Sequence, residues 1–227
     1  MKIKELLKQD WAIFVFLLLP FVMILLFWDK YPAQIPMHWS FSGKIDDYET
    51  KMPALFFLPG FNILLYVLFL VIPKIDPRWD NFKLFKKTYQ IVKYSIILLM
   101  TFLFFVITAF SFGYRFDTMY AVIIPITIFI AIFGNVMGNI RQNYFVGIRL
   151  PWTLSNEQVW TITHRMAGHL WVWSSIVMII LIVILPASII KYCFWVYFGC
   201  IVIVPCVYSY IIYKKITKNG GRVDLVE

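Results

Sequence analysis

The chain has 227 residues, 61% of them hydrophobic and 15% charged, with a formal net charge of +9. Soluble domains carry about 25% charged residues, so a water-facing globule is excluded. The positive charge follows the connecting segments and forms no continuous basic face, which excludes direct nucleic-acid binding as the main activity.

Six runs lack Asp, Glu, Lys and Arg: residues 11–28, 52–72, 94–112, 118–140, 166–190 and 192–213. Each has at least 18 residues, and a helix crosses the hydrocarbon core with about 20. A spanning strand would need only about 10 residues and would alternate in polarity. The prediction is an all-α membrane protein with six transmembrane helices. The first run follows Lys2, Lys4 and Lys8 but is longer than a secretory signal core and precedes no small-residue cleavage site, so it is read as a retained helix. Of the 21 Lys and Arg residues, sixteen fall in the N-terminal tail, the second and fourth loops and the C-terminal tail, and five in the other loops. Lys and Arg gather on the cytoplasmic side, so the expected orientation is N-in and C-in, in a bacterial plasma membrane. Two modules are expected: residues 1–93, with the first outer loop and a basic cytoplasmic loop, and residues 94–227, with helices three to six.

The first loop, residues 29–51, faces outside in this reading. Pro32 and Pro36 forbid a continuous helix and Gly43 marks a turn. His38 and Trp39 precede that turn; Asp46, Asp47, Glu49 and Lys51 follow it. A zinc site normally needs three ligands, including closely spaced His, and the acids do not follow the calcium-loop pattern. No metal and no cofactor is expected. The reading is an ordered interfacial loop that binds a partner, with a solvated loop as the plain alternative. The second loop is basic and is expected to be a helix-ended connector near anionic headgroups. The third and fifth loops are short helical hairpins, the fifth around Lys191.

In the fourth run Gly134 and Gly138 form a GxxxG pattern, which lets helix backbones approach closely, most simply within the chain. Asn135 and Asn139 share a face, and their amides are expected to turn inward for partners. The fourth loop, residues 141–165, contains Asn143, Gly147, Arg149, Pro151 and Trp152. Ser155 with Gln158 reads as a capping box that starts a helix near Asn156. On that helix Trp160, His164, Gly168 and Trp171 fall on one face. Arg149 has two readings: with His164 it brackets an anionic headgroup, or it ties the loop down by bonding carbonyls. His164 and His169 are five apart and do not share a face. Pro20, Pro125 and Pro205 are candidate helix breaks. Cys193, Cys200 and Cys206 match no zinc or redox spacing and read as small apolar residues.

The stretch NYFVGIRLPWTL at residues 143–154, followed by Trp160 and Thr163-His164-Arg165, resembles the signature of the SdpI family. Leu150 stands where that family usually has Thr. The outer loop, with Pro32, Ile35, Pro36, His38, Trp39, Gly43, Asp46 and Lys51, resembles a module of unknown function often found ahead of the signature. The resemblance implies a non-enzymatic immunity protein that protects the membrane from a secreted antimicrobial peptide. It also implies a toxin-sensing role in which a cytoplasmic transcriptional repressor is held at the membrane. The rival readings are a membrane enzyme or a small transporter using His38, Asp46 and Asp47. Against a transporter, no charge is read at mid-membrane.

Overall fold

The computed structural model describes residues 3–40 and 45–218. Six helices are long and apolar enough to cross a membrane: α1 (Ile3–Leu26), α2 (Lys51–Ile75), α4 (Lys86–Ser111), α5 (Thr118–Met137), α7 (Glu157–Ile184) and α8 (Ala187–Lys218). Two short helices sit in connectors, α3 (Asn81–Leu84) and α6 (Pro151–Ser155). Large apolar side chains face outward along the spans, such as Leu25 at 76% exposure and Val183 at 81%. Water would penalise such a surface and lipid does not, so the chain is a multi-pass membrane protein.

Pro20, Pro125 and Pro205 lie inside continuous helices, not at breaks. A proline leaves the carbonyl four residues earlier without its N–H partner. For Pro20 that carbonyl belongs to Phe16, and it shares the Thr101 hydroxyl proton, at 3.1 Å, with the Ile97 carbonyl at 2.9 Å. For Pro205 it belongs to Ile201, and the Trp171 indole N–H donates to it at 2.9 Å. The break that does occur is at Pro186. Leu185 is extended (φ −99°, ψ 150°) and ends α7, because the residue before a proline avoids helical geometry. The last turn therefore precedes Lys191, which the charge-free runs had placed in the loop.

The first loop holds structure that the sequence reading lacked. After a 3₁₀ turn at Trp28–Lys30, strands β1 (Gln34–Trp39) and β2 (Ile45–Thr50) pair antiparallel. Pro36 lies opposite Tyr48, and the register is irregular between Pro36, His38 and Trp39. A proline donates no ladder hydrogen bond, so such irregularity is expected beside it.

The chain forms two compact units. The first comprises Met1–Leu70 and Lys93–Ile126. One apolar cluster joins Ile24, Tyr31, Ile35, Leu55, Phe104 and Ile107 and seats the base of the hairpin. A second joins Ile13, Leu17, Tyr66 and Ile97. Beside it lies a buried ion pair: Lys93 Nζ donates to Asp10 Oδ2 at 2.6 Å, and the Tyr66 hydroxyl donates to the same oxygen at 3.1 Å. Asp10 is fully buried and departs from helical geometry (φ −105°, ψ 15°). Sequence reading had left both charges in a tail and a loop.

The second unit comprises Val71–Val92 and Thr127–Glu227. Gly134 and Gly168 bring α5 and α7 together: a Cβ on Gly134 would lie 2.7 Å from Trp171 Cβ, and one on Gly168 would lie 2.8 Å from the Gly134 carbonyl. The GxxxG pattern thus serves packing within the chain. Helices α7 and α8 are further joined by Ser175 and Tyr197, whose hydroxyls are 2.8 Å apart.

Candidate functional site

Two groups of predicted residues are brought together, one in each unit. In the first unit the hairpin carries His38, Trp39, Asp46 and Asp47. His38 Nδ1 lies 2.6 Å from Asp46 Oδ1, with both side chains well exposed. Asp47 faces solvent opposite His38 in the strand register. Trp39 turns the other way and packs edge-on against Phe110 at 5.6 Å. Lys51 does not join the acids: its ammonium donates to the Trp28 carbonyl at 2.8 Å and lies over the Trp28 ring, fixing the start of α2. Glu49 accepts from the Thr50 backbone and hydroxyl, which lowers its pKa. Gly43 lies outside the described residues. Tyr31 anchors the hairpin from beneath, bonding Thr108 at 3.2 Å; burial raises its pKa and the bond to Thr108 partly offsets this. Among the described residues no group of three His, Cys, Asp or Glu side chains is placed to hold a metal ion.

In the second unit the signature residues form one hydrogen-bonded knot. Asn143 folds the loop on itself: its carbonyl accepts the N–H groups of Phe145 and Val146 at 2.9 and 2.7 Å, and its amide donates to the carbonyls of Arg141 and Val146. This Asx-turn chemistry is the local reason for the tight bend. Gly147 follows at φ +115°, a conformation that side chains disfavour. There the backbone passes directly over His164. The Ile148 N–H donates to His164 Nε2 at 3.0 Å, while Nδ1 lies 2.8 Å from the Trp160 carbonyl. The carbonyl can only accept, so Nδ1 carries the proton and Nε2 is the acceptor. His164 also stacks on Trp160 with centroids 4.0 Å apart, and the Trp160 indole donates to the Ile140 carbonyl at 2.8 Å. Both rings are buried.

Arg149 projects outward and donates to the Tyr144 carbonyl at 3.0 Å. Pro151 opens α6 at its first helical position, where a missing N–H costs nothing. Leu150 is the N-cap and offers no side-chain acceptor. Thr153 compensates: its hydroxyl accepts the Leu150 N–H at 2.9 Å and donates to the Ile148 carbonyl at 2.7 Å. Trp152 reaches away from the knot to Ser209 on α8, at 2.7 Å. The cap of α7 is Asn156, not Ser155. The Asn156 carbonyl accepts from Gln158 and Val159, while Ser155 closes α6 through the Trp152 carbonyl. Asn135 and Asn139 are exposed, contrary to the inward-turned expectation, and lie outside the knot.

Sequence reasoning missed the residues that brace the knot from the α2–α4 connector. Asp76 is buried; its carboxylate accepts the Arg78 N–H at 2.7 Å and the Tyr144 N–H at 2.8 Å. Arg78 donates to the Leu154 carbonyl at 3.1 Å, and Asn81 to the Gln142 carbonyl at 2.7 Å. Gln142 in turn donates to the carbonyls of Thr153 and Leu154. The legible signal was Asp76-Pro77-Arg78, an acid beside a turn proline in an otherwise basic connector. Together these bonds make a rigid platform built mostly from backbone groups. Neither an activated nucleophile nor an acid–base pair stands on it.

Two segments of the chain match known families. Residues 139–209 match the SdpI/YfhL protein family, and residues 15–63 match a domain of unknown function, DUF1648. The chain is also similar to the immunity protein SdpI of Bacillus subtilis (strain 168), at 26% identity over 161 residues, which cover 71% of this chain and 75% of that protein. No solved structure matches the chain. The knot around His164 thus lies in the segment of this membrane protein that matches the SdpI/YfhL protein family, and the hairpin lies in the segment that matches DUF1648.

Proposed function

We propose that this chain is a non-enzymatic immunity protein of the bacterial plasma membrane, oriented N-in and C-in, which protects the cell from a secreted, membrane-active peptide. The observation that carries this reading is the similarity to an immunity protein over 71% of the chain, with Asn143, Gly147, Trp160 and His164 assembled into one hydrogen-bonded knot. The hairpin of β1 and β2 meets the peptide from outside through His38, Asp46 and Asp47, with Pro36 and Trp39 fixing its shape. The platform around Asn143, Gly147, Arg149, Trp160 and His164 holds the cytoplasmic ends of the helices. A peptide-bound form that retains a transcriptional repressor is the signalling extension of the same proposal. It requires the repressor to sediment with membranes only in peptide-treated cells.

The test is survival of a sensitive strain challenged with the peptide while expressing variants of His38. The Asn amide places an N–H near the position of Nδ1 and keeps the bond to Asp46, but it cannot shuttle protons. His38→Asn is expected to protect at close to the wild-type level. His38→Ala should reduce the tolerated peptide concentration about two- to fivefold, in line with the loss of an exposed charged contact. Chelator should change neither. Equal and complete loss in both variants, or loss of wild-type protection on chelation, would favour the enzyme or metal reading built on the 2.6 Å His38–Asp46 pair. The orientation is measured in the same cells with Cys193, Cys200 and Cys206 replaced. A cysteine at Glu49 should react with an impermeant thiol reagent, and one at Ser155 should not; the opposite labelling would place the hairpin inside.

A further inference from the structure

A cleft of about 910 Å³ opens between the start of α4, the end of α5 and the first half of α7. Lys83, Lys86, Lys87, Arg141 and Arg165 line it, and no Asp or Glu does. The positive-inside bias alone would bring Lys and Arg to this end of the helices, but it does not account for three further facts. Arg165 lies eight residues into α7 and so about 12 Å along the helix, beyond any loop. The side chains of Asn135 and Asn139 line the cleft, exposed, and make no hydrogen bond among the described residues. Finally, the lining changes character along α7. It is basic and amidic near Arg165, and apolar at Val172 and Trp173, which lie about 10–12 Å further along the helix.

We infer that this cleft binds an anionic phospholipid, with its phosphodiester held by Arg141, Arg165 and the lysines at the start of α4, and its acyl chain laid against Val172 and Trp173. The amides of Asn135 and Asn139 supply neutral donors to the ester and headgroup oxygens. Arg forks suit phosphate oxygens, and basic pockets between transmembrane helices take such headgroups. The basic-to-apolar gradient selects a lipid over a free phosphate, which has nothing to place at the apolar end.

Native mass spectrometry of the full-length protein in detergent, titrated with phosphatidylglycerol or with phosphatidylcholine of the same chains, tests this. Phosphatidylglycerol should bind at least about 10-fold more tightly. Each cation near an anionic headgroup contributes about fivefold, so the double variant R141Q/R165Q should lose about 10-fold or more. The pair K214Q/K215Q, exposed cations at the end of α8 outside the cleft, should lose less than twofold. If R141Q/R165Q is not monodisperse, K86Q/K87Q replaces it with the same expectation. Equal binding of phosphatidylcholine, or an equal loss in K214Q/K215Q, would overturn the site in favour of diffuse surface charge. Displacement of the lipid by millimolar glycerol phosphate would make it a free-anion site and overturn the lipid assignment.

Discussion

Gly147→Ala should cost the protein its signature loop. At φ +115° an alanine is strained by about 1–3 kcal/mol on its own. The added methyl would also overlap His164 Nε2 and crowd the Trp160 ring, 3.2 Å away. Relief requires the loop to lift from His164, which breaks the Ile148 hydrogen bond and loosens a stacked pair. The combined expectation is a drop of about 6–12 °C in the unfolding temperature of the detergent-solubilised protein, at about 2–4 °C per kcal/mol. Proteolytic cleavage should appear within residues 141–155. Gly60→Ala is the comparison, since nothing lies within 4 Å of a Cβ there, and inside α2 it should unfold at or a few degrees above the wild-type temperature. A Gly147→Ala protein as stable as Gly60→Ala would mean that the loop does not rest on His164.

The second large effect is expected at Lys93. Removing one partner of a buried ion pair strands the other charge and costs about 3–5 kcal/mol. Lys93→Met should therefore be strongly destabilising, because Asp10 is fully buried and its other oxygen, Oδ1, already lacks a hydrogen-bond partner among the described residues. Asp10→Leu alone should be comparably damaging. The double variant D10L/K93M removes both charges and replaces them with apolar volume, so it should recover most of the stability. The double-mutant cycle in detergent measures this directly. Strict additivity of the two single losses would show that the residues do not act as a pair.

These two sites differ in how far the sequence discloses them. The six spans were legible because hydrocarbon tolerates no charge, and the charge-free runs register that rule at once. The same rule misled at three places. Asp10 and Lys93 neutralise one another inside the bundle, so assigning every charge to a tail or loop put both outside it. The end of α7 lay hidden in an apolar run, since Pro186 stops a helix without carrying charge. The hairpin escaped notice because β2, Ile-Asp-Asp-Tyr-Glu-Thr, is polar and exposed along most of its length and so has no alternation to read. In the signature loop the residue types Asn143, Gly147 and His164 were visible, but their partners were not. Those partners are backbone N–H and carbonyl groups, which every residue carries and no residue type reveals. Asp76 and Thr153 act the same way.

The proline carbonyls bear on what motion the helices can make. In water, a carbonyl freed by a mid-helix proline is hydrated wherever the helix moves. In lipid it has no such recourse. The bonds from Trp171 to Ile201 and from Thr101 to Phe16 therefore act as pawls: each fixes the axial position of one helix against its neighbour to within a hydrogen-bond length. Sliding α8 past α7 by a single residue, or turning it about its axis, would leave a bare carbonyl in hydrocarbon. The Trp171 contact thus opposes sliding of α8 along α7, and the Thr101 contact opposes sliding of α1 along α4. Such a pairing resists being pried apart by a membrane-inserting peptide more stiffly than apolar packing alone would allow.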